Sequence, residues 1–183
     1  LIEEMALDIN ADLIVVGLAN QNSLIKEHLV GSVATKVAER STVPVLIIPE
    51  NVKYSRIKKI SYACDFDKNL ESTGVLMKVK YFCSLFDADL QILNVMHPQE
   101  EISVEKAETD SYVEEKLYAT KHDTFFIYDE AVDKGLIEFM DHHDTDIIIT
   151  SPKKHGLFHN LFKESNTKKL AFHAHVPVLT IHA

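Results

Sequence analysis

The sequence contains only two cysteines, Cys64 and Cys83, among its 183 residues. Two cysteines cannot supply a disulfide framework, so a reducing cytoplasm is the expected compartment. No apolar run approaches the length of a membrane span, and no stretch has the charged and apolar regions of a signal peptide. Basic charge is also scarce: 19 Lys and Arg stand against 28 Asp and Glu, a formal net charge of −9. Coating nucleic-acid phosphates requires a concentrated basic surface, so no nucleic-acid partner is expected. The local basic group Lys53, Arg56, Lys58 and Lys59 falls in a stretch that reads as an interdomain linker, where solvated charge is ordinary. Familiar catalytic motifs are missing as well: there is no Gly-x-x-x-x-Gly-Lys loop, Gly-x-Gly-x-x-Gly, Gly-x-Ser-x-Gly or His-Glu-x-x-His. Neither cysteine has an activating neighbour in sequence. Catalysis is therefore not expected, and no catalytic residue is assigned.

What is present is the composition of a folded globular chain, 46% hydrophobic and 26% charged. The most informative stretch is Ala11 to Pro49. Leu13 to Val16 and Val45 to Ile48 are short Val- and Ile-rich runs without polar alternation, as expected of parallel strands covered on both faces. Between them Val33, Ala34, Val37 and Ala38 share one helical stripe, and Pro44 ends the helix. Gly17 stands where a strand becomes a loop. Gly31-Ser32 stands where a helix is expected to begin, with Ser32 as its N-cap. Unpaired N–H groups and the positive end of the helix dipole make such an entrance suited to an anion, although the same residues are also ordinary turn chemistry.

The unit occurs twice. At a shift of about 133 residues Asp146-Ile147-Ile148-Ile149 falls on Asp12-Leu13-Ile14-Val15, Val176-Pro177-Val178-Leu179 on Val43-Pro44-Val45-Leu46, and Ser165 on Ser32. With Gly17, Gly31 and Ser32 in the first copy, this arrangement resembles the universal stress protein family. Its signature is Gly, two residues, Gly, nine residues, then Gly followed by Ser or Thr. The first copy departs by carrying Asn20 for the middle glycine and one residue too many before Gly31. In the second copy the spacing is right, but Ser151, Lys154 and Glu164 replace the glycines and only Ser165 remains. Side chains at these points fill space, and Glu164 would repel a phosphate at the helix entrance, while Lys153 and Lys154 offset part of that repulsion.

The resemblance implies a five-stranded parallel open sheet of order 3-2-1-4-5 flanked by helices, of the adenine nucleotide alpha hydrolase-like kind, together with a partial second copy. It implies residues 1–53 as the C-terminal part of a first domain and 54–183 as a complete second one, so that the chain reads as a tandem member lacking the start of its first domain. It also implies ATP or another adenine nucleotide as ligand, with no metal beyond an accompanying magnesium. The residues carried over as cofactor-binding are Gly17, Asn20, Gly31, Ser32, Asp65, Thr150, Ser151, Lys154 and Ser165. Asp65 follows the first strand of the second domain, opposite Thr150 and Ser151, and reads equally as a turn or cap residue. The implied role is a cytoplasmic stress-response module, and the other reading is a dimerisation scaffold without nucleotide. Self-association is expected through Val45 to Ile48 and Val178 to Ile181, which should meet antiparallel within one chain or between chains.

Further strands are expected at Ile60 to Ala63, Leu90 to Val95 and Phe125 to Tyr128. Helices are expected from about Leu70 to Phe86, within 98–123 on a seam of Ala107, Val113 and Leu117, and through Val132, Leu136, Phe139, Met140 and His143. Strands alternating with helices imply right-handed parallel crossovers. Ten histidines are many for this length, but His155 and His159, four apart, lack the converging ligands of a metal site. The acidic pairs Glu100-Glu101 and Glu114-Glu115 read as solvent-facing.

Overall fold

The computed structural model describes residues 2–18, 27–49, 52–53, 55–66, 74–151 and 175–182. Helix α1 (Ile2–Asp8) leads into strand β1 (Ile14–Gly17), helix α2 (Glu27–Arg40) and strand β2 (Val45–Ile48). There follow β3 (Lys59–Ala63), α3 (Val75–Phe86), β4 (Asp89–Met96), α4 (Val104–Lys116), β5 (His122–Tyr128), α5 (Val132–His142), β6 (Ile147–Thr150) and β7 (Val178–Thr180).

All seven strands join one sheet in the order β1-β2-β7-β6-β3-β4-β5. Every neighbouring pair is parallel except β2 and β7, which run antiparallel with Val45 opposite Thr180, Leu46 opposite Leu179 and Ile47 opposite Val178. This one seam joins the short β1–β2 ribbon to the other strands, so that a single sheet results. The antiparallel meeting of the Val45 and Val178 strands is made within the chain. It leaves β1 and β5 as the margins of the sheet among the described residues.

The helices divide between the two faces. Ala6 of α1, Ala34 and Ala38 of α2, and Leu136 and Phe139 of α5 pack with Ala63, Leu93, Val95, Ile148, Val45 and Ile47. On the other face Val75, Val79, Phe82 and Cys83 of α3 and Val113 and Leu117 of α4 pack with Tyr62, Leu90, Ile92, Ile149 and Ile181. Alternation along a strand sends successive side chains to opposite faces, so a strand covered on both sides must be apolar throughout. Ile147–Thr150 is buried at all four positions.

Several boundaries differ from the sequence reading, for physical reasons. Helix α2 opens at Glu27, so Gly31 and Ser32 lie inside it rather than at its mouth. Glu27, Leu29 and Ala34 favour helix, and one interior glycine costs only about 1 kcal/mol, too little to stop it. Helix α3 ends at Phe86 as expected but is entered through Gly74, whose φ of 64° is left-handed and suits glycine; residues 70–73 lie outside the described ones. In α4 the buried seam is Lys106, Thr109, Val113 and Leu117, and Ala107 faces solvent. Val33 and Phe86 are also exposed, at the borders of their helical stripes.

Candidate functional site

Strand order in the sheet reverses between β3 and β6: the chain leaves β3 toward β4 on one side and returns through β6 on the other. In open α/β sheets, ligands bind beyond the carboxyl ends of the strands at such a reversal. The register pairs Ala63 with Thr150, so Asp65, two residues beyond β3, leaves the sheet at the same rim as Thr150 and Ser151. All three are buried. Thr150 carries its backbone load, its carbonyl accepting from Ile181 N at 3.0 Å. Its hydroxyl Oγ1, however, has no hydrogen-bond partner among the described residues, although the residue is only 2% exposed. An unpaired buried hydroxyl costs stability, and a polar ligand at this rim would satisfy it.

Of the other residues inferred from the family signature, the described ones, Gly17, Gly31 and Ser32, are not gathered here. Because β2 is antiparallel to β7, the carboxyl ends of β1 and β2 lie at the opposite rim of the sheet from those of β3 and β6. Gly17, the last residue of β1, is therefore at that far rim, and a Cβ added to it would meet nothing within 4 Å among the described residues. Gly31 and Ser32 belong to α2, which follows on that side. Asn20, Lys154 and Ser165 lie outside the described residues, as do Glu164, His155 and His159. Among the described residues, those of the first copy thus lie at one rim of the sheet and those of the second at the other.

A polar network adjoining the β3 exit escaped sequence reasoning. Asn94, fully buried on β4, donates through Nδ2 to the Cys64 carbonyl at 2.9 Å. Its Oδ1 accepts from Lys106 Nζ at 3.2 Å, and the same ammonium pairs with Glu100 at 2.8 Å. Glu100 also accepts from His97 N. The Lys106 hydrogen bond comes first among the causes that hold the Glu100 carboxyl below its usual range. Glu100 is thus half of an ion pair rather than a solvated charge. The only available signal was Ser103, three residues before Lys106, whose side chain caps α4 by accepting from Lys106 N at 3.2 Å.

Both cysteines are buried, and neither forms a disulfide. Burial pushes the Cys83 thiol up to about 11, so it is not a ready nucleophile. Among the described residues no group of three or more His, Cys, Asp or Glu is arranged to hold a metal ion. No helix among them is long and apolar enough to cross a membrane.

The sequence model of the Universal stress protein family matches residues 1–49. The resemblance to that family holds. Among solved structures, a universal stress protein from Archaeoglobus fulgidus superposes with a TM-score of 0.70 at 18% identity, over 99% of this chain and 64% of its own length. The chain therefore spans just under two thirds of that relative. A universal stress protein solved in complex with cAMP aligns with 70% of this chain and 98% of its own, at a TM-score of 0.53 and 17% identity. The cytoplasmic domain of a prokaryotic cation chloride cotransporter gives 0.52 at 11% identity, over 97% of this chain and 69% of its own. At such identities the likeness speaks for the fold alone: an α/β architecture with a mostly parallel seven-stranded sheet flanked by helices. No curated protein matches the sequence.

Proposed function

We propose that this chain is a universal stress protein-like regulatory module of tandem design that binds an adenine nucleotide without turning it over. Residues 1–53 then form the closing part of one unit and 54–183 a whole second unit, whose strands β3 to β7 follow the order 3-2-1-4-5. In this reading the β2–β7 seam is the assembly contact between the units, and the working compartment is the cytoplasm. The observation that carries the ligand proposal is the buried, unpartnered Thr150 hydroxyl at the rim it shares with Asp65 and Ser151, where strand order reverses. The relative solved with cAMP supports the ligand class. Sequence reasoning favoured the first copy, whose Gly17 stands at the far rim.

Release of bound nucleotide on denaturing the purified protein, read by absorbance and chromatography, tests the proposal. ATP or another adenine nucleotide in the supernatant is expected. A protein that releases none, and that binds neither ATP nor cAMP in calorimetric titration, overturns it. Appearance of ADP from added ATP at an enzymatic rate overturns binding without turnover. Thr150→Val is expected to weaken binding about tenfold if one hydrogen bond to the ligand is lost. Unchanged affinity would move the nucleotide to the far rim.

A further inference from the structure

Strand β5 is the far margin of the sheet, and among the described residues no strand pairs with its outer side. Two backbone bonds at its ends fix how it faces. Leu90 N donates to the Lys121 carbonyl at 3.0 Å, and Asp129 N donates to the Met96 carbonyl at 3.0 Å. Backbone groups alternate along a strand, so the odd residues between them face β4. The N–H and C=O groups of His122, Thr124, Phe126 and Tyr128 then point outward. This open row belongs to a strand of seven residues, whereas the strand at the opposite margin, β1, has four. Beside it lies a groove of about 410 Å³ whose walls include Phe125, Ile127, Phe139 and His143. The Phe139 and His143 rings are stacked there at 3.9 Å.

We propose that this margin docks a second copy of the chain, with the two β5 strands paired antiparallel about a two-fold axis. Such an interface is isologous, so the strand has to complement itself. Its charges do so in one register. With the axis through Phe125, Lys121 lies opposite the partner subunit's Asp129 at each end of the contact, and Asp123 lies opposite the partner subunit's Ile127. With the axis through Phe126, Asp123 would oppose the partner subunit's Asp129, two like charges at close range, which disfavours that register. The Phe125-centred register also places the two Phe125 rings at a non-hydrogen-bonded site, where side chains come closest. Lys121 already pairs with Asp89, and Asp129 with Lys134. The new charge pairs therefore select the register, and the outward backbone groups supply the binding.

Sedimentation equilibrium of this chain over a wide concentration range tests the proposal, and a reversible dimer is expected. Thr124→Pro removes an outward N–H while leaving the bonds to β4 intact, and should weaken the dimer at least about tenfold. Lys121→Asp, an exposed change that does not touch the core, should weaken it as well and make it less sensitive to salt. A wild-type chain that stays monomeric at every concentration overturns the proposal. So does a dimer that both variants leave unchanged.

Discussion

Strands β1 and β6 are written in nearly the same letters, yet they live in different surroundings. Asp12-Leu13-Ile14-Val15 corresponds to Asp146-Ile147-Ile148-Ile149, but Val15 is 59% exposed and Ile149 is 0% exposed. Their neighbours explain the difference. Strand β6 lies between β3 and β7, with Ile148 buried in the core on one face of the sheet and Ile147 and Ile149 in the core on the other. Strand β1 is a margin strand whose buried side chain, Ile14, meets the face covered by α2, while Val15 points to the face where α3 and α4 do not reach. An apolar run states that a strand can be covered on both sides, and only the assembled sheet decides whether it is.

The sharpest way to break this comparison is to truncate both strands. Ile149→Ala should cost about 2–5 kcal/mol in urea denaturation, since it empties a closed site. Val15→Ala should stay within about 0.5 kcal/mol; equal losses would show the two environments to be alike. A second contrast concerns glycine. A Cβ at Gly135 would lie 3.2 Å from Val95 Cγ1 and 3.2 Å from Asp129 Cβ, whereas one at Gly17 would meet none of the described residues within 4 Å. Gly135→Ala should therefore destabilise by about 1–3 kcal/mol, and Gly17→Ala by no more than a few tenths. The two halves are also tied by His182, whose Nε2 donates to the Ala38 carbonyl in the last turn of α2 at 2.7 Å. His182→Ala should cost about 1 kcal/mol and raise hydrogen exchange in α2 more than in α3.

The smallest effect is a pH dependence confined to the larger half. Because its partners depress the Glu100 carboxyl below the ordinary 4.5, its contribution is complete above that value and is lost as pH falls through the folded-state value. Glu100→Gln should flatten this acid limb of the stability profile.

The strands were readable because buried β segments leave short, uninterrupted Val- and Ile-rich runs, and Val45 to Ile48 coincides with β2. The antiparallel seam was readable from edge logic, since two apolar edges without partners seek one another. Helix α2 began earlier than expected because Gly31-Ser32 fits a cap and a helix interior equally well in sequence. That Asp65 leaves the sheet at the rim of Thr150 and Ser151 depends on topology rather than on any local motif. The Asn94–Lys106–Glu100 network was not legible, because a lysine on a mostly charged helix reads as solvated until the helix is laid against a strand. Which face of Val15 is bare depends on where α3 and α4 stop, and no window of sequence contains that.

The β2–β7 seam also sets an order of events during synthesis. Ile47 emerges from the ribosome long before its partner Val178, and at ordinary elongation rates of about 5–20 residues per second the wait is on the order of ten seconds. Throughout that interval the nascent chain presents a ready-made template to any stray β segment. The newborn protein therefore passes through a window of vulnerability, which a trigger-type chaperone occupying the ribosome exit would shorten or shield.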